Sequence, residues 1–275
     1  MKSVIYVLDT YEEYSDLRAT DYNIDFVWQE FTRNTLTEYS ENNEIDIVFV
    51  GNTHPYILKY RKQAKAAFPN RKDFFKLEKF IRWNIFAESD YDYAYFVDLD
   101  TLVLNPSLNL DFFTDHSKFY CNSFGRGRRD GKKINPLRRE RMLAFSNKKS
   151  RLYHFSSGFI ACNKQHALSV IDFLNKHDIN IMEDTGIQNI IDFVGTTEEG
   201  NQRGLFTDEV LINMALNSDC INESDIECAS DCGLCEEFWV SNKKSIFFHV
   251  ISNEFDKQRV IFLLSEFLRE YKNDN

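Results

Sequence analysis

Three short runs, SVIYVL (3–8), IDIVFV (45–50) and YAYFVD (93–98), are apolar at nearly every position. A strand with one face in water alternates apolar and polar residues, whereas an unbroken apolar strand has to be covered on both faces. Helical patterns separate the runs: residues 22–40, by way of Phe26, Val27, Glu30 and Phe31, then PYILKYRKQAKAAF (55–68) and FFKLEKFIRWNIFAE (74–88), with Phe75, Phe80 and Trp83 on the apolar side. Further strands are expected at 118–124, 155–163 and 244–251, and helices at 165–177, 207–217 (Thr207 as N-cap) and 254–272. The alternation predicts an α/β fold with a mainly parallel mixed central sheet flanked by helices. No repeat or linker interrupts it, so one domain is expected over residues 1–275.

The third run ends in two carboxylates, Asp98 and Asp100, and the apolar pattern resumes at Leu102, Val103 and Leu104. Buried charges are costly unless paired or bound to metal. In sheets of this kind ligands bind at the carboxyl ends of the strands, which is where this pair falls. Aspartates one residue apart there can face one cation once the backbone turns. Mg²⁺ and Mn²⁺ take oxygen ligands and commonly share them with phosphates. Two aspartates capping a turn are the plain alternative.

Composition narrows the class. With 43% hydrophobic and 28% charged residues, and only 10 Gly and 4 Pro, the chain is neither disordered nor a loop-rich secreted scaffold. No stretch approaches the roughly 20 apolar residues of a membrane helix. MKSVIYVLDTYEEYS turns acidic too soon for a signal peptide, so the expected compartment is the cytoplasm. The net charge of −10 argues against general nucleic-acid binding. That charge is uneven: residues 126–151 carry 11 Lys and Arg against Asp130 and Glu140, a segment of +9 in a remainder of −19. The segment reads either as a solvated loop or as a grip on an anionic acceptor, partner or membrane surface, where each basic residue near anionic lipid adds about 1 kcal/mol.

KLEKFIRWNIFAESDYDYAYFVDLDTLVLNP (76–106) resembles the central segment of the GT-A nucleotide-sugar glycosyltransferases, especially glycogenin and its relatives in glycosyltransferase family 8. FSSGFIACN, TDEVLIN and FFHVI resemble three further segments of that family, in the same order. Ser156 stands where Asn is usual and Glu209 where Gln is, and HVISNEFDKQR lacks the Gly and Trp that usually follow the histidine. The resemblance implies sugar transfer from a nucleotide-diphosphate donor, UDP-linked by preference, to a glycan, protein or lipid hydroxyl. It implies a Mn²⁺ or Mg²⁺ ion on Asp98, Asp100 and His249, with Asp98 also at the donor ribose. Leu8, Asp9, Thr10 and Tyr11 would hold the nucleotide. Lys76, Ser157, Gly158 and Lys257 would meet the donor sugar or diphosphate, with Arg259, Arg126 and Arg128 as further candidates. Asp208 and Glu209 would lie at the reacting carbon, in a transfer that retains more readily than it inverts. Taken singly, His249 reads as a core histidine, Lys76 as a solvated helix residue and Asp208 as a first-turn carboxylate.

Cys121 and Cys162 lie in strand-like runs and read as small buried hydrophobes. Cys220, Cys228, Cys232 and Cys235 crowd one loop, where structural zinc, two disulfides and free thiols are all open. Two other functions compete with transfer: a silent nucleotide- or sugar-binding protein and a sugar-phosphate nucleotidyltransferase. The second would want a Gly-rich basic loop after the first strand, and DTYEEYSDL has none.

Overall fold

The computed structural model describes residues 1–10, 28–67, 74–123, 155–183, 186, 189, 208–236, 245–250 and 260–266. Tyr11, Lys257, Arg259, Thr207, the 126–151 segment and the Lys76 side chain lie outside the described residues.

Six strands form the main sheet, in the order β2, β1, β3, β6, β5, β7. They are β1 (Ser3–Asp9), β2 (Asp46–Gly51), β3 (Tyr93–Asp98), β5 (Phe119–Ser123), β6 (Phe155–Asn163) and β7 (Ile226–Cys228). The pairs β1–β2, β1–β3 and β5–β7 are parallel, while β6 runs antiparallel to both its neighbours. The mainly parallel mixed sheet is therefore present, with β6 as its one reversed strand. Both faces are covered, as the unbroken apolar runs require. Val4, Tyr6, Phe96 and Ile160 pack on one side with α2 (Pro55–Ala67), α3 (Ile81–Glu88), α5 (Lys164–Lys176) and α6 (Asp208–Asn217). Ile5, Val7, Tyr95 and Phe159 pack on the other with α1 (Trp28–Asn43) and α4 (Leu110–Phe113).

A second sheet was not foreseen. β4 (Thr101–Val103), β9 (Phe247–His249) and β8 (Cys235–Glu236) form three short strands in the order β4, β9, β8 on the second face. Within the described residues 245–250 of the expected strand 244–251, three are in the ladder, as β4 offers three partners: Thr101 to His249, Leu102 to Phe248 and Val103 to Phe247. The expected helix over 74–88 is split into a 3-10 segment, Phe74–Phe80, and α3. α3 is held to β3 by stacking of Trp83 on Phe96, with ring centroids 4.8 Å apart. Among the described residues no helix is long and apolar enough to cross a membrane.

Candidate metal and donor site

The strand order explains why two aspartates terminate β3. Asp98 ends the strand with Leu8 of β1 as its register partner, so Leu8, Asp9 and Thr10 lie beside it at the same edge of the sheet. The chain turns at Leu99 and Asp100 and enters β4, whose ladder with β9 sets Thr101 opposite His249. The Val250 N–H donates to the Asp100 carbonyl at 2.9 Å and locks that register. Two sheets therefore deliver one ligand set. His249 Nε2 lies 3.3 Å from Asp100 Oδ1 and 3.6 Å from Asp98 Oδ2. All three residues are buried, and their candidate ligand atoms fall within 4.8 Å of one another. Among the described residues this is the one group of three or more such side chains close enough to hold a metal ion. Two carboxylates and an imidazole suit a divalent ion of borderline hardness.

Two cations at the site were not singled out in the sequence. Lys79, at the end of the 3-10 segment, makes an ion pair with Asp98 Oδ2, and its side chain is about a quarter exposed. Arg82, one helical turn on, is buried; its Nη2 lies 3.3 Å from Asp98 Oδ1. Its Nη1 donates to the Val97 carbonyl at 2.8 Å, and its Nε to the Lys79 carbonyl at 3.0 Å. The signal was available: an arginine inside the apolar run KFIRWNIF has to find acceptors if the run is buried.

Asp208 reaches the site through α6. Asn213, fully buried on that helix, accepts from the Phe155 N–H at 2.8 Å and donates to the Phe155 carbonyl at 2.7 Å. This clamp sets the first turn of α6 against β6, where the Ser157 hydroxyl donates to Asp208 Oδ1 at 3.1 Å. Asp208 Oδ2 is buried with no hydrogen-bond partner among the described residues. Burial pushes the Asp208 pKa up to about 6; Asp98 and Glu209 add to the rise, while Lys79 and Arg82 oppose it. Glu209 follows in the same turn and is partly exposed. At the end of β1, Arg33 takes both oxygens of Asp9, at 2.8 and 2.9 Å.

The zinc expectation is corrected. Cys228 sits in β7 opposite Cys121, Cys235 is buried in β8 of the other sheet, and Cys220 follows α6, so Cys220, Cys228, Cys232 and Cys235 do not gather on one point. Cys220, Cys228 and Cys232 are free thiols. The Cys232 thiol is pushed up to about 12 by burial and by Glu227, which accepts its S–H, and burial raises Cys220 to about 11. Cys121, Cys228 and Cys232 line a cavity of about 380 Å³ against α6 and β7, apart from the Asp98 group.

No family model matches the chain, and no curated protein matches it. Among solved structures, it overlaps the galactosyltransferase LgtC at a TM-score of 0.47 and 11% identity, covering 97% of this chain and 95% of that one. It overlaps mouse xyloside xylosyltransferase 1 at 0.44 and 11%, covering 92% and 99%. A glycosyltransferase involved in glycosylation of the major capsid of PBCV-1 overlaps at 0.41 and 8%, covering 95% and 100%. Similarity at this level concerns the course of the chain and is too loose to carry substrate, metal or mechanism across.

Proposed function

We propose that this protein is a metal-dependent glycosyltransferase of the GT-A kind, moving a sugar from a nucleotide-diphosphate donor, UDP-linked, to a hydroxyl on a glycan, protein or lipid. The observation that carries the reading is the convergence of Asp98, Asp100 and His249 from two sheets onto one point at the carboxyl edge. A divalent ion held there would neutralise charge on the diphosphate leaving group. Lys79 adds a partly exposed ammonium at the same edge, where it meets the diphosphate. Arg82 stays buried and holds the Asp98 carboxylate against the end of β3. The unpartnered Asp208 Oδ2 suits a donor-sugar hydroxyl, which would satisfy a buried acceptor. Glu209, beside it, is the group nearest in sequence for supporting the reacting carbon, and transfer with retention is the favoured outcome. The basic segment 126–151, inserted between β5 and β6, takes an anionic acceptor or surface.

The test is release of nucleotide from a panel of UDP- and GDP-sugars with Mn²⁺, Mg²⁺ or chelator. One donor should be cleaved in a metal-dependent way, with at least about a hundredfold loss in Asp100→Ala and His249→Ala, consistent with losing a main electrostatic contribution. Tight UDP binding with no cleavage, even with acceptors added, would replace this reading with a silent binding protein. Changing Arg138, Arg139 and Arg141 to Gln should weaken use of an anionic acceptor and leave donor hydrolysis as it was. Equal loss of both would remove the acceptor role of the segment.

A further inference from the structure

β6 leaves its regular ladder where it enters the site. Its pairing with β3 stops at Phe159 opposite Val97. On the other side Ser123 pairs with Phe155 but Cys121 with Ile160, so the register shifts between them. Ser157 and Gly158 fall in this irregular stretch, beyond the last paired residue of β3. Ser157 turns its hydroxyl to Asp208. Gly158 has no side chain to turn, and that absence is where His249 sits. A Cβ built on Gly158 would lie 2.1 Å from His249 Nδ1, 2.2 Å from Cε1 and 2.8 Å from Cγ. Gly158 is not among the positive-φ glycines, so its backbone conformation does not call for glycine. The imidazole does.

We propose that Gly158 is a positioning residue for His249: the bare backbone of β6 forms the wall against which the ring packs, and that wall sets the direction of Nε2. The inference rests on the metal reading above and deepens it. The two ring nitrogens lie on different edges, with the Nδ1 edge against Gly158 and Nε2 at Asp100 and Asp98. Relieving a 2.1 Å contact means moving the ring by more than an ångström. A metal site tolerates ligand distances only within about 0.2 Å. The ring cannot shift by that amount and remain a ligand in the same geometry.

The experiment is a double-mutant cycle on the full chain: parent, Gly158→Ala, His249→Ala and the double variant. Each is measured for Mn²⁺ affinity by electron paramagnetic resonance and for thermal midpoint in chelator. Gly158→Ala is expected to weaken Mn²⁺ binding by about tenfold or more, the range found when a ligand's supporting partner is altered. It should also lower the midpoint, and that drop should largely vanish in the His249→Ala background, where the ring is gone. An equal drop in both backgrounds, or unchanged Mn²⁺ affinity in Gly158→Ala, would overturn the proposal. If the parent itself binds no Mn²⁺, the metal reading fails, while the midpoints still decide whether Gly158 acts on the ring. If Gly158→Ala does not fold, a folded double variant supports the proposal and an unfolded one overturns it.

Discussion

Asp208 lies in the first turn of α6, and the helix dipole there favours a negative charge. Burial works the other way and prevails, raising its pKa to about 6 despite Lys79 and Arg82. The consequence for stability has a definite sign. The unfolded carboxyl loses its proton near pH 3.9 and the folded one near 6, so between those values the folded state holds more protons and the parent loses stability as pH rises. Asp208→Asn removes that loss and keeps an oxygen for Ser157. In chelator, the variant should therefore gain on the parent between about pH 4 and 6 and hold a constant lead above, on the order of 3 kcal/mol at most. Urea unfolding across pH 4.5–8 measures it, and a difference that does not change with pH would contradict the burial argument. At this scale much of the candidate site was legible. Asp98 and Asp100 declare themselves because carboxylates at the end of an apolar strand need a reason to be there, whereas His249, which alone reads as a core histidine, was legible only through the family resemblance. Lys79 and Arg82 were not legible because a lysine and an arginine in a helical pattern read as solvated until their distance to Asp98 is known.

The 3-10 segment that presents Lys79 is itself fastened by a buried ion pair. Glu78 is fully buried and takes Arg61 of α2 on both oxygens, with Nη2 to Oε2 at 3.0 Å. Breaking such a pair from one side leaves an uncompensated charge and costs about 3–5 kcal/mol. Glu78→Ala should lower unfolding free energy by roughly 3 kcal/mol. It should also weaken donor cleavage beyond what stability alone explains, because the neighbouring residue is Lys79. Unfolding in urea, with donor turnover measured well below the midpoint, separates the two effects; a stability loss under about 1 kcal/mol would mean that the pair contributes no more than a surface bridge does. The sequence showed five strands of the large sheet but not their directions, and β7, three residues inside what reads as the cysteine loop, was not legible. β6 is apolar like its neighbours because both faces of the sheet are covered, and a covered strand looks the same whichever way it runs. The small sheet was hidden for a different reason: strands of three, three and two residues are too short to show any period.

Taken whole, the molecule is a large sheet between two apolar layers, with the small sheet docked on one of them. The strand–helix alternation made the large sheet readable, because each element repeats a local pattern. Docking of the small sheet depends on contacts between residues about 150 apart, such as Thr101 with His249, and nothing local encodes them. The candidate metal site lies across this junction: Asp98 belongs to the large sheet, His249 to the small one, and Asp100 to the turn between them. An ion bound there recognises the docked arrangement and not the unfolded chain, so its binding free energy adds to folding stability. At a hundred times its dissociation constant, a ligand specific to the folded state contributes about 2.7 kcal/mol. In a chain of this size each kcal/mol moves the thermal midpoint by about 2–4 °C. Saturating Mn²⁺ should therefore raise the midpoint by roughly 5–10 °C. His249→Ala and Asp100→Ala should each remove most of that rise: the first leaves both remaining ligands on β3 and the turn after it, and the second takes one of the three ligands from the site. Thermal scans of the three proteins with Mn²⁺ and with chelator make the comparison. A rise that persists in both variants would place the stabilising ion elsewhere, and the junction would then be held by the β4–β9 ladder and its apolar packing without help from a metal.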